Sequence, residues 1–484
     1  MLFALGPIWL FIHQSPSWVL PALPLLVAAR LVPSLVLAQR PLWRAIGWVS
    51  AAALISGNLF ALVATAMYGA VMAWNVPLSG RVLTGLLVLP AALGPRVTRG
   101  VRVPLALPMG VWAAACMNGL WQDVGRTLRC DDYLRVRPPV EIVVPARRDL
   151  AGCPAGASLP ISRYPRQVWE APDGSRYVFT SQTADSWTGP LQPADVMTGL
   201  VCETPPGGTE HPRCIGGSEG KSDRFTDAPP LNKLFVNAWD VPALGGKTSV
   251  VMTVPRMGPL ELTEWHEVAM NRTVGVGVYQ PAHDTLWLLS DNFTSEWRRA
   301  SDFGQLDRGP MSLTALDARF DPAGDEGVVC GFIYTPGPPL ATIAAFHGSP
   351  PVRRDIVSTA VRWPLVVGLP FACEFDLTDR KVYASLINLG IVVKFDYDSG
   401  RMEKIFPLGA GVRALAYDPA RRRLYVANFP GGDVTAVDVD SGAERARWFV
   451  GRFPRDVRLT RDGRALLTTS TVGLLRIGLD HPAG

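Results

Sequence analysis

RALAYDPARRRLYVANFPGGDVTAVDVDSGAERARWFVG, residues Arg413–Gly451, is the stretch that decides the fold. Arg413–Tyr417, Leu424–Ala427, Val434–Val439 and Ala446–Val450 are short runs of strand-forming residues. Between them stand Asp418-Pro419 and Asp440-Ser441-Gly442, whose side chains and backbone freedom suit tight turns. Four short strands closed by turns form an antiparallel unit, and this unit recurs. Phe375-Asp376, Tyr417-Asp418 and Leu459-Thr460 are 42 residues apart, as are Tyr383, Tyr425 and Leu467. Asp398-Ser399-Gly400 and Asp440-Ser441-Gly442 keep the same step. A fixed period of about 40–50 residues filled with four strands is the signature of a β-propeller blade.

Fainter copies extend the pattern upstream. Tyr279–Trp287 aligns with Tyr417–Tyr425, Phe320-Asp321-Pro322 repeats Tyr417-Asp418-Pro419, and Lys233–Asn237 echoes the second strand. Tyr164-Pro165-Arg166-Gln167-Val168 matches Phe453-Pro454-Arg455-Asp456-Val457. These mark seven units, beginning near residues 164, 225, 272, 313, 368, 411 and 452. Stretched spacing predicts insertions around Thr183–Asp223 and Gly337–Asp355. The last unit runs out after Leu474–Leu479, so Val140–Val144 is expected to supply its fourth strand and close the ring, leaving no unpaired sheet edge.

Tyr425-Val426-Ala427-Asn428 is similar to the Tyr-Val-x-Asn strand ending of the YVTN-type (NHL/YVTN-like) β-propeller repeat. The resemblance is specific over the last two full units, about 85 residues. It implies an all-β propeller of seven four-stranded blades over residues 140–484.

Residues 1–122 have another chemistry. They carry seven arginines and no Asp or Glu, whereas all 42 acidic residues lie from Asp123 onward, against 40 Lys and Arg. The net charge of +5 therefore belongs to the first 122 residues, and a basic surface for nucleic acid is not supported. Ile46–Trp74 is uncharged over 29 residues and Val103–Trp121 over 19. Trp18–Ala38, interrupted by Arg30, and Pro77–Gly94 are further candidate spans. The expectation is an α-helical transmembrane region of about four helices over 1–122, then a linker over 123–139. Arg40 and Arg44 in one connection, and Arg96, Arg99 and Arg102 in another, place both in the cytoplasm by the positive-inside rule. The propeller then lies on the extracytoplasmic, periplasmic side of a bacterial cytoplasmic membrane.

Six of the seven cysteines fall in the soluble part, where an oxidising compartment favours disulfides. Cys330 and Cys373 meet across a blade seam if the repeat is in register; Cys130–Cys153 and Cys202–Cys214 are the local pairs. The six histidines are scattered and show no metal-ligand or nucleophile spacing, so no catalytic residue, metal or cofactor is expected. Arg166, Arg413 and Arg455 share one repeat position at the start of the innermost strand, where equivalent residues converge on the central channel. They are the ligand-binding candidates, suited to a carboxylate or phosphate, with His266 and Glu267 as rim candidates. The expected function is a membrane-anchored binding or scaffolding module for a protein, peptide or glycan. The alternative is a propeller-fold enzyme, lactonase- or dehydrogenase-like, with its site at the channel mouth. The expected partners are the lipid membrane and a protein or peptide.

Overall fold

The computed structural model describes residues 127–479, except 184–190, 218–220, 240–248, 269–273, 291–293, 311–312, 334–339, 349–351, 358–369, 388–389, 409–410 and 430. The transmembrane region expected over 1–122 lies outside the described residues. Among those described, no helix is long and apolar enough to cross a membrane.

Strands joined by short turns pair antiparallel with their sequence neighbours, and seven four-stranded blades result. The innermost strands are Arg163–Glu170, Lys221–Ala228, Val274–Gln280, Thr314–Phe320, Pro370–Asp376, Val412–Asp418 and Asp456–Leu459. Each touches the next, and the last touches the first, so they line a closed channel. A single pairing, Gln182 with Lys221, also joins the sheets of the first two blades.

Each of the seven seams between blades holds one hydrophobic cluster. In the seam between blades four and five, Val328, Cys330 and Ile343 pack against Cys373, Val382 and Phe395. Between blades six and seven, Tyr425 and Val434 face Val457, Leu466 and Leu475. Fully burying one such side chain contributes about 1.5–3 kcal/mol, so the ring is held mainly by its seams.

The 42-residue repeat has a direct physical content. The Asp396 carboxylate accepts hydrogen bonds from the Ser399 N–H and hydroxyl at 2.8 and 2.6 Å. One period later Asp438 does the same with Ser441, both at 2.8 Å. Arg380 and Arg422 both take a left-handed turn conformation, and their guanidiniums pair with Asp398 and Asp440. Asn428, closing the Tyr-Val-x-Asn strand, donates to Asp433 at 2.5 Å and Thr435 at 2.8 Å, locking the next turn.

The ring closes as expected, by Val140–Pro145 pairing with Gly473–Gly478 in the seventh blade. A Cβ on Gly473 would lie 2.0 Å from the Val144 carbonyl oxygen, and its φ is +145°. Only glycine lets the two strands approach at that point.

Two stretches hold regular structure that the sequence did not reveal. The segment expected as a linker, 123–139, is ordered where it is described. Thr127–Arg129 pairs with Ser158–Pro160, and Cys130–Arg135 forms a short helix. That helix is fixed by the Cys130–Cys153 disulfide and by a buried ion pair, Asp132 to Arg452 at 2.5 Å. The stretches expected as insertions supply regular outer strands. Val201–Thr204 and Arg213–Ile215, clipped by Cys202–Cys214, complete the first blade. Leu340–His347 and Val352–Val357 complete the fourth. The first-blade strands were hidden because each is three or four residues long, too short to show alternation.

Replacing Gly473 with valine is expected to lower stability by about 3 kcal/mol or more, read as a lower melting temperature and new protease cleavage near residues 140–145. Alkylation of the unreduced, denatured protein should label Cys330 and Cys373 and leave Cys130, Cys153, Cys202 and Cys214 unlabelled by mass spectrometry.

Candidate functional site

The inner strands are edge strands, so the backbone groups on their channel side need partners. Three seams solve this in one way. The Asp456 carboxylate accepts the N–H of Val168 at 3.1 Å, from the last blade to the first. Gln167 Oε1 accepts the N–H of Phe225 at 2.7 Å, from the first to the second. Asp317 Oδ2 accepts the N–H of Cys373 at 3.1 Å, from the fourth to the fifth. Each receiving strand carries a β-bulge just before or at the donor, between Pro165 and Val168, Ser222 and Phe225, and Pro370 and Cys373.

Two residues further along lies a second ring of positions: Arg458 in the seventh blade, Arg319 in the fourth, Glu374 in the fifth and Trp169 in the first. Asp317 binds the strands together most heavily. Its carboxylate takes Arg224 at 2.5 Å and Arg319 at 3.1 Å, and its side chain is 1% exposed. Arg319 also donates to Glu374 at 3.0 Å. Burial pushes Asp317 toward a higher pKa, but the guanidiniums of Arg224, Arg319 and Arg458 prevail and hold it below the carboxylate range. Glu374 differs. Burial dominates there over Arg319 and Arg458, and its pKa is raised.

Between these strands the channel widens into a cavity of about 380 Å³, within the range that holds a small molecule. Gln167, Trp169, Arg224, Asp317, Arg319 and Arg458 supply its polar wall, and Val276, Ala318 and Leu459 contribute apolar surface. Its lining also includes Glu170 and Asp227 at the far ends of their strands and Arg461 in the turn after Asp456–Leu459, so the cavity reaches toward the C-terminal ends of the inner strands.

The arginines singled out by sequence lie nearer the opposite end. Arg413 and Arg455 are brought together by Phe429, whose ring lies 4.8 and 5.2 Å from their guanidinium carbons. Phe371 stacks on Arg413 at 4.3 Å and Tyr164 on Arg455 at 4.6 Å, giving a row of alternating rings and guanidiniums across blades five, six, seven and one. Arg166 is separate and donates to Gln182. His266 and Glu267 lie on Glu264–Val268, the outermost strand of the second blade, away from the channel. His266 stacks on Phe303 at 4.2 Å and contacts Glu264 at 3.3 Å.

Cys130–Cys153 and Cys202–Cys214 are disulfides. Cys330 and Cys373 face one another across the expected seam as free, buried thiols. Burial raises both pKa values, that of Cys373 strongly, so neither is a ready nucleophile. Among the described residues no group of three His, Cys, Asp or Glu side chains is arranged to hold a metal ion.

Sequence reading missed Asp317, Arg319, Glu374 and Arg458. The repeat register contained the signal. Glu374 stands two 42-residue steps before Arg458, and Phe320-Asp321, aligned with Leu459-Thr460, puts Arg319 at the same position. No known protein family's model matches the chain, and no curated protein is significantly similar to it in sequence.

Asp317→Ala leaves two guanidiniums without their buried partner and is expected to cost about 3–5 kcal/mol. The stability that Asp317 provides is present above its ordinary value of 3.8 and is lost as pH falls through its lower folded value. Glu374 has the opposite sign: its contribution is present below 4.5 and is lost as pH rises through its raised value. Glu374→Gln is therefore expected to match or exceed the parent's stability at neutral pH, measured by thermal unfolding of the full chain in detergent.

Proposed function

We propose that the protein is a membrane-tethered, extracytoplasmic binding module, with a propeller of YVTN-type ancestry that takes its ligand into the central channel. The observation that carries this reading is the cavity between the inner strands, walled by residues from five blades. A site assembled from so many blades is rigid, because moving any wall means opening a packed seam. The carboxylates Asp317, Asp227 and Asp456 each engage both oxygens in hydrogen bonds within the protein. They are committed to holding the inner strands in place.

The tether and its side of the membrane rest on the sequence: long uncharged runs before residue 122, and five of the seven arginines there, Arg40, Arg44, Arg96, Arg99 and Arg102, grouped in two alternate connections. Two disulfides in the propeller agree with an oxidising, periplasmic compartment. The ligand is part of a peptide, a protein or a glycan, or a free small molecule of matching size.

Two measurements test the reading. Protease added to spheroplasts should remove the propeller and leave a membrane-held fragment; full protection would refute the assigned side. Native mass spectrometry of the full chain should show a co-purifying small-molecule adduct that disappears in Ala318→Trp, which fills the cavity. An adduct unchanged by that substitution would place the ligand elsewhere.

A further inference from the structure

The channel's carboxylates are largely occupied by hydrogen bonds within the protein. Asp317 spends one oxygen on Arg224 and Arg319 and the other on the Cys373 N–H. Asp227 spends both on Arg256, with one also taking the Trp169 indole N–H. Asp456 gives one oxygen to the Val168 N–H and both to Arg458 Nε. Of the carboxylates that line the cavity, Glu170 at its far end keeps one oxygen without a hydrogen bond to the described residues, its other oxygen taking the Arg461 N–H; Asp317 and Asp227 have none to spare.

The donors are in surplus. Arg458 is tied to Asp456 through Nε alone, and its two terminal amino groups make no hydrogen bond to the described residues. Its side chain is 29% exposed and lines the cavity. Arg319 uses Nε and Nη1 on Glu374, Asp317 and the Ala318 carbonyl, leaving Nη2. Gln167 uses its side-chain oxygen on Phe225, leaving its amide N–H groups. Arg458 is held from behind, so its planar fork is already oriented, the geometry that matches a carboxylate or phosphate edge.

We propose that the channel cavity is an oxyanion-binding site, in which the terminal amino groups of Arg458 grip a carboxylate or phosphate group of the ligand, assisted by Arg319 and Gln167. The proposal rests on the channel-binding reading above and adds the ligand's chemical class. The apolar surface of Val276, Ala318 and Leu459 accommodates the ligand's uncharged body. Arg458 thus replaces Arg413 and Arg455 as the principal anion ligand, since those two lie nearer the other end of the channel.

The test is calorimetric titration of the full chain in detergent and Tris chloride with inorganic phosphate and, separately, with acetate. Saturable binding of one or both at millimolar concentration is expected, and the tighter of the two identifies the group. Arg458→Gln should weaken that binding at least about tenfold, the equivalent of one charge-assisted hydrogen bond. Arg458→Lys should retain part of it, and Arg413→Gln all of it. Should Arg458→Gln fail to fold, the parent's own titration and Arg458→Lys still decide. No binding of either anion to the parent overturns the proposal, as does parental affinity in Arg458→Gln or loss in Arg413→Gln alone. If neither anion binds while the adduct lost in Ala318→Trp persists in the parent, the channel still binds a ligand and the oxyanion class is wrong.

Discussion

In three of the seven seams, a side-chain oxygen on one inner strand accepts a backbone N–H from the exposed edge of the next. An inner propeller strand pairs on one side only, so its other edge needs partners or water. Asp456, Gln167 and Asp317 answer that need and at the same time fix the angular position of adjacent blades. The hydrophobic seams supply most of the attraction, but apolar packing is non-directional. The directional contacts set where each inner side chain points, and hence the shape of the channel.

That constraint also explains the charge pattern at the centre. Carboxylates bound to neighbouring strands must be compensated, and Arg224, Arg319 and Arg458 do so from blades two, four and seven. Asp317, almost wholly buried, is the most heavily compensated. At Glu374 burial outweighs the guanidiniums of Arg319 and Arg458 and raises its pKa. Guanidinium offers five donors to a carboxylate's two oxygens, so once the carboxylates are saturated some N–H groups remain. The channel's affinity for anions follows from this mismatch between what holds the blades and what is left over.

The architecture was legible in the sequence wherever turns repeat, because Asp396–Ser399 and Asp438–Ser441 are local devices that leave a periodic trace. Closure by Val140–Pro145 was legible too, since a blade lacking its fourth strand requires one from elsewhere. The outer strands of the first blade were not: a disulfide rather than an alternating apolar run holds them. The channel residues were harder still. Their repeat position holds an indole at Trp169, a carboxylate at Glu374 and a guanidinium at Arg319 and Arg458, so no single residue type marks it along the chain. Pairing there runs across seams between residues far apart in sequence, such as Arg224 with Asp317, so it emerges only when the ring is closed. The arginine position chosen from sequence, at Arg413 and Arg455, was repeated and therefore visible, but the aromatic rings that stack on both come from other blades or from a loop between strands.

Structural latching consumes most of the channel's acceptors and leaves Arg458 to hold an anion. The most direct measurement is a crystal structure of the full chain soaked with selenate, an oxyanion visible by anomalous scattering. A peak within hydrogen-bonding distance of the Arg458 terminal amino groups, inside the cavity, is the predicted result. An empty channel, or a peak only beside Arg413 and Arg455, would contradict it.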